Sequence, residues 1–284
     1  MDILDVLKDT IIDAVKLLPF LLIAYLIMEY VEHKTTSKTK DIIKKSGKFG
    51  PLAGGILGAF PQCGFSVTAT NFYAARIITI GTLFSVYLST SDEMLPIMIS
   101  SGVQGSLILK ILGIKVAIGI ILGFLIDLIL RLFKKDKNQE VDIESICKHD
   151  HCHCEDGIFK SALKHTLNIF IYIFILSLVL NILIELIGTY KLETLVSGNV
   201  IIGSLISGLI GLIPNCASSV VLTEMYLSGI LKLGMMIGGL LINAGVGLLV
   251  LFKVNKNQKE NILIVISLYF IGVISAIILQ NLAL

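Results

Sequence analysis

The sequence predicts an all-α polytopic membrane protein: two inverted repeats, each of three membrane-spanning helices plus one re-entrant, broken helical hairpin, or about ten helical segments. Three observations predict it. The 284-residue chain is 55% hydrophobic and 15% charged and has no tryptophan, which is too apolar for a soluble domain of that length. Apolar runs long enough to span a membrane recur along it. One motif, G-x-x-P-[QN]-C-x-x-S, is written twice, as GAFPQCGFS at Gly58–Ser66 and GLIPNCASS at Gly211–Ser219.

The runs fall at Ile11–Val31, Phe49–Tyr73, Ile77–Ile99, Leu112–Phe133, Leu163–Ile187, Val200–Tyr226, Leu231–Phe252 and Ile262–Leu282. The first follows an acidic stretch, MDILDVLKDTIIDAVK, and no A-x-A-like cleavage site comes after it. It reads as a retained helix rather than a signal peptide. The second and sixth runs carry Pro61 and Pro214. Proline lacks an N–H and clashes with the carbonyl four residues back, so the carbonyls of Leu57 and Ile210 are freed. In lipid, such groups must face protein or a polar cavity. The third run is interrupted by LSTSDEMLP (Leu88–Pro96), where Pro96 frees the carbonyl of Asp92. The seventh is interrupted by LINAGVGLL (Leu241–Leu249), loosened by Gly245 and Gly247.

Placing Pro61 on Pro214 without a gap makes thirteen positions identical between Leu52–Pro96 and Leu205–Leu249, among them Gly55/Gly208, Cys63/Cys216, Ser66/Ser219, Thr70/Thr223, Tyr73/Tyr226 and Gly81/Gly234. Shared apolar composition yields some matches, but not a gapless series in Gly, Pro, Cys and Tyr. The chain thus divides into a first transmembrane repeat (1–133), a His/Cys-rich linker (134–160) and a second repeat (161–284).

Charge orients the halves. If all eight runs cross, the 23 Lys and Arg divide into about 12 and 11 across the bilayer. If the two Pro-broken runs enter and return on one side, the loops Glu32–Lys48, Arg131–Lys164 and Lys253–Lys259 share a face and the split becomes roughly 17 to 6. The second arrangement obeys the positive-inside rule. It puts both termini outside and the His/Cys loop in the cytoplasm of a multi-pass plasma-membrane protein. Each half then crosses three times, and an odd number of crossings inverts the second half. The two motifs become hairpin tips entering from opposite faces. The alternative is two kinked helices that span, since proline is ordinary in membrane helices.

Polar side chains at that depth are candidate substrate ligands: Gln62, Cys63, Ser66, Asn215, Cys216 and Ser219 at the tips, with Asp92, Glu93 and Asn243 at the interruptions. A single intramembrane cysteine is usually a small hydrophobe; two at equivalent positions, each beside an amide, point toward a ligand role. Asp92 and Glu93 are adjacent acids in an apolar run and functional by default, unless they sit at a helix end among headgroups. Glu224 either completes a site with Asp92 or reaches the outer surface. Asp92, Glu93 and Glu224 are also the proton-coupling candidates. Asp13, Glu29, Asp127 and Glu185 lie close to run ends and are expected to be solvated. The loop CKHDHCHC at Cys147–Cys154 offers His149, His151, Cys152, His153 and Cys154 as ligands for a soft or borderline metal, without zinc-finger spacing. A solvated, metal-free linker is the plainer reading.

With the repeated G-x-x-P-x-C and the segment STSDEMLP (Ser89–Pro96) in view, the chain resembles the ten-helix heavy-metal exporters, whose relatives also carry arsenic-efflux and manganese-transporter labels. The resemblance is best from Pro51 to Phe252. It implies export of a metal or metalloid by a permease but leaves the substrate open, and it assigns no residue a role. The residues themselves offer both soft and hard ligands. Cys63 and Cys216 suit arsenite, Cd or Zn; Asp92, Glu93, Glu224, Gln62 and Asn215 suit Mn. A transition-metal ion is then substrate or loop ligand, and no cofactor is required.

The expected function is a secondary transporter working by alternating access. A carrier of small anions bound at the hairpin tips is the nearest alternative, because each hairpin's second helix starts at its tip and that end favours negative charge. An intramembrane enzyme is more distant. No H-E-x-x-H, G-x-S-x-G or nucleotide-binding loop occurs, and the membrane core holds no histidine to serve as a base. The partners expected are the lipid bilayer and the metal or metalloid ion. A net charge of +2 gives no reason to expect nucleic acid, and a homo-oligomer is compatible with all of this.

Overall fold

The computed structural model describes residues 47–60, 63–91, 93–132, 158–187 and 200–282, with single residues between Lys8 and Leu26. Among them all regular structure is helical, as the composition predicts. A 3₁₀ turn at Gly47–Phe49 precedes α1 (Gly50–Gly58), α2 (Cys63–Ala74), α3 (Ile80–Ser89), α4 (Met94–Ser100) and α5 (Gly105–Leu132). After α6 (Ile158–Ile187) come α7 (Val200–Gly211), α8 (Cys216–Leu227), α9 (Leu233–Ile242), α10 (Gly247–Val254) and α11 (Gln258–Asn281). Helices α2 to α5 begin at Cys63, Ile80, Met94 and Gly105; α8 to α11 begin at Cys216, Leu233, Gly247 and Gln258. Each pair of starts is separated by the same number of residues as the two motif prolines.

Small residues set the packing. On α5 the buried positions Ile111, Lys115, Gly119, Gly123 and Asp127 recur every fourth residue, while Leu109, Ile121, Phe124, Leu125, Leu128 and Leu132 face outward. Glycine at the inner stripe lets backbones touch, the usual means of joining helices in lipid. A Cβ on Gly119 would strike Ser85 and Ser89, and one on Gly123 would lie 2.6 Å from the Gly81 carbonyl oxygen. Helix α5 therefore runs antiparallel to α3. Helix α1 lies along α3 in the same sense, Gly54 against Thr82 and Gly58 against Val86 and Ser89. Helix α2 then returns, with Thr70 Oγ1 2.5 Å from Tyr87 Oη. So α1 and α2 form a hairpin whose tip lies level with the end of α3, and Ser91 fastens it by donating to the Ala59 carbonyl at 2.8 Å. The second set packs likewise: Gly211 on Gly239, and Gly238 on Gly272 and Ala276.

The sets meet through α2 on α10, α4 on α8 and α3 on α9. Gly247 abuts Ser66 so closely that a Cβ would lie 3.0 Å from it. Val67 and Ala75 of the first set share an apolar cluster with Cys216, Val246 and Val250 of the second. At one rim Arg76 grips both carboxylate oxygens of Glu260 at 3.2 and 3.3 Å, and Tyr73 donates to the same carboxylate. Arg76 holds a left-handed backbone (φ 60°); the equivalent position is Gly229, at φ 80°. Only glycine adopts that conformation without strain, so the first repeat carries strain to place an arginine there.

Among the described residues, Gly105–Leu132, Leu233–Val254 and Gln258–Asn281 are long and apolar enough to cross a membrane. The middle stretch contains the α9–α10 interruption and is 89% buried, against 28% and 33% for the others; it forms the centre, and they present apolar faces to lipid. Two expectations need correcting. Helix α5 starts at Gly105, not Leu112, about 10 Å earlier at 1.5 Å per residue, which draws Lys115 into the interior. Asp127 is not solvated: it is buried and accepts from the Gly81 amide at 2.9 Å and from Thr79 Oγ1 at 2.7 Å, closing the start of α3. The carbonyls freed by the motif prolines are met by protein. The Leu57 oxygen takes the Phe60 amide at 3.3 Å and the Ile210 oxygen the Ile213 amide at 3.1 Å.

Candidate functional site

The two broken helices, α3–α4 and α9–α10, cross beside the α1–α2 tip. Helix α3 stops because Thr90 turns to an extended backbone (ψ 126°), its amide still bonded to the Val86 carbonyl at 3.0 Å. Helix α9 stops at Asn243, whose side chain accepts from the Gly245 amide at 2.9 Å. Such an Asx turn competes with helix continuation, and Gly245 supplies the positive φ (54°) at the break. The helix resumes at Gly247.

Lys115 ties the two interruptions together. It is fully buried, and its ammonium donates to the Thr90 carbonyl and, at 2.8 Å, to the Leu240 carbonyl. Both acceptors lie at the ends of interrupted helices, where negative partial charge gathers. Nearby, Thr70 Oγ1 bonds the Ser66 carbonyl at 2.7 Å and the Gly247 carbonyl at 3.2 Å, and Tyr87 Oη reaches the same Gly247 oxygen at 3.3 Å. On the far side of α2, Tyr25 donates to Asn71 at 3.0 Å.

The sequence-predicted residues are placed unevenly. Ser66 and Asn243 are buried at this crossing. Asn215 caps α8 through a 3.5 Å contact with the Ala217 amide. Ser219 spends its hydroxyl on the Cys216 carbonyl at 2.7 Å. Cys216 is buried among Val67, Val246 and Val250, between the two sets of helices. Glu93 is half-buried just before α4, whereas Glu224 is exposed on α8. Gln62, Asp92, the side chain of Cys63 and the loop with His149, His151, Cys152, His153 and Cys154 lie outside the described residues. Among the described residues no three His, Cys, Asp or Glu side chains are grouped to hold a metal ion.

Sequence reasoning missed Lys115, Tyr87 and Thr70. For Lys115 a signal existed: Ile111, Lys115, Gly119, Gly123 and Asp127 form one stripe at helical spacing, and a lysine aligned with two glycines faces a neighbour, not lipid. Among the described residues, the crossing gathers carbonyl oxygens, hydroxyls and the Lys115 ammonium, groups that replace the hydration shell of a small polar species.

Neither a curated protein nor a solved structure matches the chain. A family model does, over residues 2–201, which include the first hairpin, both members of the first broken helix and α5 and α6. Its description reads "Putative, 10TM heavy-metal exporter", and a match over more than half of the sequence makes this multi-pass membrane protein a member of that family.

Proposed function

We propose that the chain is a secondary carrier that exports a metal or metalloid ion (Mn, Zn, Cd or arsenite-like) across the plasma membrane. Transport proceeds by alternating access around the crossing of the broken helices. The observation that carries this reading is the meeting of two interrupted helices from equivalent parts of the chain, joined through Lys115 and through Tyr87 Oη on the Gly247 carbonyl. Interrupted helices in corresponding positions are where such carriers bind substrate. Inversion of the repeats is supported by the rim contact: Glu260 at the start of α11 pairs with Arg76 at the end of α2, whereas the equivalent start of α5 lies at the far end of α3–α4.

In this reading Gln62, Cys63, Ser66, Asn215, Cys216, Ser219 and Asn243 surround the ion, Asp92 and Glu93 supply charge, and Asp92, Glu93 or Glu224 carries the coupling proton. The His/Cys loop gathers metal on the cytoplasmic side. The test is a tolerance panel of arsenite, Cd, Zn and Mn in cells lacking or overproducing the protein. Overproduction raises tolerance to at least one; an unchanged panel rejects metal export. In vesicles, a soft substrate loses roughly tenfold or more of its flux in Cys63→Ser or Cys216→Ser, because the hydroxyl keeps the size but not the thiolate. A hard divalent ion tolerates those changes and is lost in Asp92→Asn or Glu93→Gln. Wild-type flux in all four variants places the site elsewhere.

Topology is tested separately. Cysteines introduced at Lys40, Asn138 and Asn257 should all react from the cytoplasm with an impermeant maleimide; opposite labelling of Lys40 and Asn138 removes the inversion. The anion-carrier alternative rests on the helix starts at the hairpin tips, and inhibition of flux by oxyanions rather than by divalent metals would select it.

A further inference from the structure

A lysine with no exposed surface sits at the eleventh residue of a 28-residue apolar helix. Ionisable groups at such depth are costly and face partners or pathways. Here the partners include two backbone carbonyls, those of Thr90 and Leu240. Thr90 caps the C-terminus of α3, and Leu240 lies in the last turn of α9. Two helix ends, one from each set, thus direct their negative poles at one cation. In carriers with broken helices, these carbonyl ends are where the coupling cation is coordinated. The equivalent position on α11 is Leu268, buried in the apolar core, so the lysine has no counterpart in the second repeat.

We propose that the Lys115 ammonium is a tethered monovalent cation. It fills a carbonyl cation site at the crossing of α3 and α9, in the place a sodium or potassium ion from solution would take. It is a positioning group that holds the two broken helices in register. Its role in transport rests on the carrier reading; the cation site itself does not.

Lys115→Ala removes the ammonium and three methylenes, and propylammonium restores those atoms. In detergent, the variant should melt below the wild type. Propylammonium should recover about 3 °C or more, as expected for a ligand bound only by the folded state. Sodium should recover part of it. Propan-1-ol, of the same length but neutral, should not, and wild-type melting should respond to none of the three. Equal effects of propanol and propylammonium, or no recovery with either cation, overturn the proposal. Lys115→Met keeps the shape without the charge. It should remain monodisperse yet exchange substrate at least tenfold more slowly, while the wild type exchanges equally in choline and sodium buffers. Wild-type exchange in Lys115→Met, or a sodium requirement in the wild type, also overturns it. A wild type that exchanges none of the metals or arsenite defeats the carrier reading instead, and the melting comparison still decides the cation site.

Discussion

Gly123→Val is expected to abolish the monodisperse, detergent-stable protein, while Gly113→Val on the same helix leaves it intact. Both substitutions make the same change in side chain and in helix propensity, and they differ only in what the new atoms meet. A Cβ at Gly123 lies 2.6 Å from the Gly81 carbonyl oxygen and 3.0 Å from both Pro51 Cβ and Ser85 Cβ, so α5 would be driven off α1 and α3 together. A Cβ at Gly113 meets nothing within 4 Å. Overpacking typically costs about 1–3 kcal/mol, and clashes with two helices on one side put Gly123→Val at or above the upper end. Fluorescence-detected size exclusion after a heating series measures it. Equal survival of the two variants would mean that α5 does not seat against α3 as described.

The second large effect is expected at Asp127. Its carboxylate accepts from the Gly81 amide and the Thr79 hydroxyl inside the protein, and a negative group at a helix start is favourable in its own right. Asp127→Ala leaves buried donors without that acceptor, and the loss should be about 2–3 kcal/mol. Asp127→Asn keeps an oxygen for the Gly81 amide, and its own amide donates to Thr79 Oγ1, so it should fall between. The check is the order of melting temperatures, wild type above Asn above Ala. Coincidence of Ala with wild type would show that α3 does not depend on this contact.

These two positions also mark how far the sequence could be read. Its proline and glycine punctuation located the hairpin tip and both interruptions, because those residues act on their own backbone. The gapless alignment anticipated that helix starts would recur at one spacing. Asp127 was misjudged and Lys115 passed over for a shared reason. Each lies a few residues from the end of an apolar run, and apolarity alone does not say where a helix begins. Starting α5 at Gly105 moved Lys115 inward, and only the neighbouring helix made a buried carboxylate at Asp127 affordable. Glu224 shows the opposite limit: with Pro61 on Pro214 it falls on Asn71, and that match gives no hint that one is exposed and the other buried.

The contact between Lys115 and Leu240 also bears on the order of biosynthesis. The two residues are 125 positions apart, so when α5 leaves the ribosome one of its carbonyl acceptors has not been made. During that interval the helix enters the bilayer with a charge near its middle, at an insertion cost of about 2.5–3.5 kcal/mol. Its other named acceptor, Thr90, is already present. The first half is thus synthesised before the Lys115 contacts are complete, and the arrival of α9 late in translation supplies the missing carbonyl.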